Sequence, residues 1–160
     1  MSLLQTIIAS FTLFLGISIN AAPSISEKRK EETNTTEMVE LKITVTNLTQ
    51  KQGTVRIALF ADKDNWLSTT VASKVLQINN KNCQLSKCHW NISDLSRGSY
   101  AIAVYHDINN NGELDTNFIG FPAEPYGFSN NQTVLLGPPS WDDSKFSVKA
   151  PAVEHAVRLN

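Results

Sequence analysis

The stretch S-Y-A-I-A-V-Y-H-D, residues 99–107, runs directly into I-N-N-N-G-E-L-D, residues 108–115, and its reading decides the fold. Residues 99–105 are apolar at both odd and even positions. That is the pattern of a central strand covered on both sides, whereas a half-exposed strand would alternate apolar with polar. Tyr, Ile and Val suit a pleated surface. Ala101 and Ala103 share one face, where their small side chains let another element pack close. From Asp107 on, Asn, Asp and Gly replace the apolar residues, which ends the strand and opens a loop.

The segments on either side show what accompanies this strand. Val39, Leu41, Ile43 and Val45 alternate with Glu40, Lys42, Thr44 and Thr46, the signature of a half-buried strand. After a polar turn at 47–53, Val55, Ile57 and Leu59 give a second strand, expected to pair with the first as a hairpin. Further strands are expected near 72–78 and 89–92, and weaker ones at 132–136, 145–148 and 153–159. Residues 137–143, G-P-P-S-W-D-D, read as a stiff loop in which Trp141 plugs a gap and the aspartates face water. No apolar period of 3.6 residues persists beyond two turns. The fold class is therefore all-β, an antiparallel β-sandwich of about seven or eight strands, immunoglobulin-like or transthyretin-like.

Residues 3–19 form an apolar run followed by Ala21, Ala22 and Pro23, the layout of a secretory signal peptide over 1–22. Residues 23–38 mix both charge signs and hold few apolar side chains, as a flexible linker does. The domain proper is then 39–160, large enough to bury a core without a staple. Once the leader is removed, no stable membrane span is expected. A secreted or periplasmic location follows. The formal net charge of -1 argues against a general nucleic-acid partner and leaves an unknown extracytoplasmic ligand or protein. Cys83 and Cys88 read as a disulfide in an exported chain. A zinc site using both thiolates with His89 or His106 is the rival, though the spacing supplies no fourth ligand.

The loop after the central strand is the one constellation with chemistry. With Asp107 as position 1, Asn109 falls at 3, Asn111 at 5, Gly112 at 6, Glu113 at 7 through its carbonyl, and Asp115 at 9. Oxygen donors at that spacing around a sharp glycine turn wrap a hard divalent cation, so Ca²⁺ is the expected cofactor. Leu114, at position 8, is where such loops plug into the body. Position 12 is Phe118 instead of a bidentate glutamate, and Glu124 could supply that carboxylate if the chain folds back through Gly120 and Pro122. Asn and Asp are also what ordinary turns use, and the spacing leaves both readings open. In residues 120–131, Tyr126 and Phe128 either cap the core or stack on a ligand.

The strings Y-A-I-A-V-Y-H-D-I-N-N-N-G-E-L-D-T-N, G-F-P-A-E-P-Y-G-F-S-N-N and G-P-P-S-W-D-D together resemble the exported bacterial family known as domain of unknown function 2141. The resemblance runs from about Val39 to the C-terminus, with Trp141 where the family leads one to expect phenylalanine. It implies an exported β-sandwich and brings no activity, substrate or catalytic residue.

For acid–base or nucleophilic chemistry the candidates are His106, Asp107, Glu124 and Ser129. Adjacent strand residues point to opposite faces, however, so His106 and Asp107 should not act as a pair. No G-x-S-x-G elbow, H-E-x-x-H helix or phosphate loop occurs in the sequence. The sequence thus favours a non-enzymatic exported binding or accessory module with a calcium-binding loop. A metal-dependent hydrolase using the same carboxylates and a purely structural envelope protein are the alternatives.

Overall fold

Alternation makes the strands, and the need to bury both apolar faces stacks them into two layers. The computed structural model describes residues 37–79, 81–84, 86–132, 137–149 and 151–160. The expected signal peptide at 1–22, nearly all of the 23–38 linker and all but Gln132 of the expected 132–136 strand lie outside these residues. The elements are β1 (Val39–Thr46), β2 (Thr54–Phe60), β3 (Ala72–Gln77), β4 (Cys83–Gln84), β5 (Lys87–Leu95), β6 (Gly98–Asp107), β7 (Tyr126–Phe128), α1 (Trp141–Ser144), β8 (Phe146–Val148) and β9 (Ala152–Arg158). A 3-10 turn, Ser129–Asn131, follows β7.

One sheet runs β4-β5-β1-β9 and the other β3-β2-β6-β7, with β8 also pairing β6. β7 lies along residues 103–105 of β6 and β8 along residues 98–100. Pairing is antiparallel except between β1 and β9, which run parallel. The inner faces meet in one core: Leu41, Ile43 and Val45 from the first sheet against Val55, Ile57, Leu59, Ile102 and Val104 from the second. Each of these large side chains stabilises the fold by about 1.5–3 kcal/mol through burial. The all-β sandwich is what the chain forms.

The expected hairpin of β1 with β2 does not form. β1 has β5 on one edge and β9 on the other, and β2 sits in the opposite sheet between β3 and β6. In a hairpin the two apolar rows would lie side by side on one face. Here they face each other across the core, and the 47–53 connection crosses between layers with Leu48 buried beneath it. Residues 126–128, where no strand was expected, form β7. Gly127 permits this, since a Cβ there would lie 2.6 Å from the carbonyl oxygen of Arg158. The 137–143 loop ends in a single helical turn. Ser140 caps it by accepting from the amide of Asp143, and Trp141 is buried while Asp142 and Asp143 are exposed.

Candidate functional site: the loop after β6 and the cleft beside it

β6 delivers Asp107 to the end of the sheet, opposite Thr54 of β2, with its side chain wholly buried. Gly53 makes the close approach possible. It has φ +84°, and a Cβ there would stand 2.2 Å from the carbonyl oxygen of Asp107. Asp107 Oδ2 accepts from Arg56 Nε at 2.7 Å and from the Gly112 amide at 3.0 Å, and Oδ1 accepts from the Asn111 amide at 3.1 Å. Burial opposes the charge, but the Arg56 hydrogen bond, the Gly112 amide and the positive charge of Arg56 outweigh it. The carboxyl is held below its ordinary range.

The remaining loop donors converge. Asn109 Nδ2 donates to Asp115 Oδ2 at 2.7 Å, and Asn111 Nδ2 donates to Asp115 Oδ1 at 2.9 Å. The amide oxygens face inward along the chain: Asn109 Oδ1 accepts from the Asn111 amide and Asn111 Oδ1 from the Glu113 amide. Glu124 does fold back onto the loop. Buried, it accepts from the Ile108 amide at 2.8 Å and from the Asp115 amide at 3.2 Å, tying the two ends of the turn together. Glu113 is exposed, and Leu114 is half-buried against the sheet. The loop therefore gathers Asn109, Asn111 and Asp115 at one point. Asp107 is committed to Arg56 and backbone amides, and Glu124 to backbone amides alone. Among the described residues no three His, Cys, Asp or Glu side chains stand together as a metal-holding group.

Beside the loop lies a second feature. On the outer face of the second sheet the registers set Ser73, Ala58, Ala103 and Phe128 in one row, and Val75, Arg56, Tyr105 and Tyr126 in the next. The first row has a small-residue floor. Farther along, Ala101 is covered by Trp141 and Phe60, and Trp66 closes this end with its ring 6.0 Å from those of Phe128 and Trp141. At the other end the Tyr105 hydroxyl donates to the Gly112 carbonyl at 2.7 Å and fixes the loop above the sheet. Between the two ends a half-open cleft of about 830 Å³ remains over Ala58 and Ala103, walled by Leu67, Tyr126, Ile119 and Phe121. Large apolar side chains crowd its rim: Leu67, Val75, Ile119 and Phe121 are exposed, and Phe118 on the same turn is 98% exposed.

The cleft is a feature that sequence reasoning missed. The paired small residues Ala101 and Ala103 were its signal: something does pack on Ala101, while Ala103 is left as floor. Arg56 was missed as well. Its sign was a cation in an otherwise apolar strand, two residues before Ala58.

The four residues nominated for catalysis do not assemble. His106 is wholly buried on the inner face, with Nε2 2.7 Å from the Gln52 carbonyl oxygen, and Asp107 points the other way. Ser129 is buried, its hydroxyl accepting from the Ile102 amide and donating to the Ser144 carbonyl. Cys83 and Cys88 face each other across β4 and β5 and are joined as a disulfide, so the thiolate zinc site does not form. His89 instead hydrogen-bonds Thr44. No helix among the described residues is long and apolar enough to cross a membrane.

Comparison with known proteins agrees with the central block. A family model described as an uncharacterized protein conserved in bacteria (DUF2141) matches residues 43–156, from within β1 to within β9. No curated protein matches the chain, and no solved structure matches it. The chain belongs to the DUF2141 family.

Proposed function

We propose that the protein is an exported, non-enzymatic binding module that takes an apolar ligand in the cleft on the outer face of the second sheet. The cleft carries the reading. It has a size usual for small-molecule sites, a floor of alanines, aromatic walls, and a rim of exposed apolar side chains that water alone does not favour. Apart from Arg56, whose Nε is already engaged by Asp107, the interior offers little that would select a charged ligand. Secretion or periplasmic residence fits the Cys83–Cys88 disulfide, which persists in oxidising compartments.

The test is titration with a neutral solvatochromic dye. Wild type is expected to bind it with a blue-shifted emission. Ala103→Trp, which fills the floor, should abolish binding with little change in melting temperature. Equal dye binding by the two proteins would sink the reading.

The loop's share of this function is to brace one end of the cleft, with Ca²⁺ as its cofactor. Three donors already meet at one point, and the Asn109 and Asn111 amide groups each need only turn over to offer oxygen in place of nitrogen. That turn gives up their bonds to the Asn111 and Glu113 amides. With Asp115 the single carboxylate facing that point, the affinity expected is weak, on the order of 10⁻³ M. Thermal melting in millimolar calcium is expected to raise the midpoint of wild type and leave Asp115→Asn unmoved. An unmoved wild type would make the loop an ordinary turn.

A further inference from the structure

Of the asparagines in the chain, Asn111 alone is followed by glycine. An asparagine side chain is open to attack by the nitrogen of the next peptide bond, and a β-carbon on the next residue hinders that approach. The loop after β6 and the turn that follows it hold three asparagines of like geometry. Asn109 Oδ1 accepts from the Asn111 amide, Asn111 Oδ1 from the Glu113 amide and Asn117 Oδ1 from the Ile119 amide, each two residues on. Such a turn folds the side-chain amide back over the following peptide bond and polarises its carbonyl. Behind Asn109 and Asn117 stand Asn110 and Phe118. Behind Asn111 stands Gly112, and the Asn111 side chain is exposed to water.

We infer that Asn111 is a site of spontaneous deamidation whose rate the folded loop controls. The Gly112 nitrogen bonds to Cγ of Asn111 and gives up its proton, the Cγ–Nδ2 bond breaks, and ammonia leaves with that proton. Water then opens the cyclic imide at either carbonyl, leaving aspartate or isoaspartate. Two carboxylates restrain the first step. Asp107 Oδ2 holds the Gly112 amide at 3.0 Å, and Asp115 Oδ1 holds the leaving amide group at 2.9 Å. Attack therefore waits on local opening of the loop.

The product changes what the loop does. Aspartate sets a second carboxylate against Asp115, where an amide had donated. Isoaspartate routes the main chain through its own β-carbon ahead of Gly112, whose carbonyl is the acceptor by which Tyr105 fixes the loop above the sheet. The inference goes beyond the cleft and cation readings and needs neither.

Peptide mapping of the folded protein, held in mildly alkaline calcium-free buffer, tests it, with aspartate and isoaspartate resolved at each position. Asn111 is expected to convert at least about 10-fold faster than Asn109 or Asn117, because glycine leaves its nucleophile unobstructed. Asp107→Asn and Asp115→Ala each remove one restraint and should speed conversion, by about 10-fold for Asp107→Asn as the loop opens more often. Asp115 lies outside the core, so its variant keeps the fold even where Asp107→Asn does not. Conversion of Asn111 no faster than that of Asn109 or Asn117 overturns the site. Conversion unchanged or slowed in either folded variant overturns the control assigned to the loop.

Discussion

The two sheets bury equivalent inner faces and present opposite outer ones. Outside the first sheet stand Glu40, Lys42, Thr44 and Thr46 of β1, with Glu154 of β9 and Asn91 of β5 beside Lys42. Lys42 and Glu154 form an ion pair at 2.9 Å. Outside the second sheet the corresponding rows are Ala58, Ala103 and Phe128, then Tyr105 and Tyr126 with Arg56 as the one charge. A sandwich needs only its inner faces to fold. The first sheet follows that economy, with polar residues where water is. The second keeps a largely apolar outer face and covers it in part, with Trp141 and Trp66 at one end and the strand-end loop at the other. The uncovered remainder is where a function can reside without weakening the core.

Substitutions in the inner faces, the loop and the outer faces break or sharpen this contrast. The inner faces should be indistinguishable: Ile43→Ala in the first sheet and Ile102→Ala in the second should each lower stability by about 2–5 kcal/mol in urea unfolding. A much smaller loss at either site would mean the two sheets do not share one core.

At the loop, Asp107→Asn leaves the Arg56 guanidinium and one of the two bonded amides without an acceptor, for an expected loss of about 1–3 kcal/mol. Because the folded carboxyl sits below its usual range, its stabilisation is present above the unfolded pKa of about 3.9 and disappears as pH falls through the lower folded value. Unfolding curves of wild type and Asp107→Asn should therefore converge in acid. Parallel curves down to pH 2 would refute the assignment.

On the outer faces, Ala103→Leu enters open space and should shift stability by less than about 1 kcal/mol while impairing dye binding. A large loss of stability would show that the cleft floor is already covered. The smallest effect is expected for Lys42→Gln, whose exposed ion pair contributes less than about 1 kcal/mol. A double-mutant cycle with Glu154→Gln measures it.

His155 adds a separate pH signature. Its ring stacks on Phe146 at 3.9 Å, and burial pushes its pKa below the ordinary value. The neutral ring is thus favoured in the fold, and that contribution, present above about pH 6.5, fades as pH falls through the folded value. His155→Phe should remove this step from the melting profile.

The strands were legible because their residues obey a period of two. Alternation placed β1 and β2 within a few residues, and the doubly apolar 99–105 run marked β6 as a central strand. Strand pairing was not legible. Alternation says that Val55 and Ile57 face a core without saying which layer they occupy, and the true neighbours of β1 are distant in sequence. β7 escaped notice because Pro125 and Gly127 look like loop residues, and only the approach of Arg158 explains the glycine. At the loop, sequence grouped Asn109, Asn111 and Asp115 by spacing and named Glu124 only on the condition that the chain fold back. It could not foresee that Asp107 would be taken up by Arg56, since that contact spans 51 positions. The cleft was hidden for a related reason: an apolar outer face looks the same in sequence whether it is covered or open.

The parallel seam between β1 and β9 has a kinetic consequence. Lys42 and Glu154, side by side in the finished sheet, are 112 residues apart along the chain. Closing so long a segment costs configurational entropy before any stabilising contact forms, and topologies rich in such closures refold on the millisecond-to-second scale. Until β9 arrives, one edge of β1 stays open to intermolecular strand pairing. Aggregation during refolding should therefore respond most strongly to changes along β1 and β9.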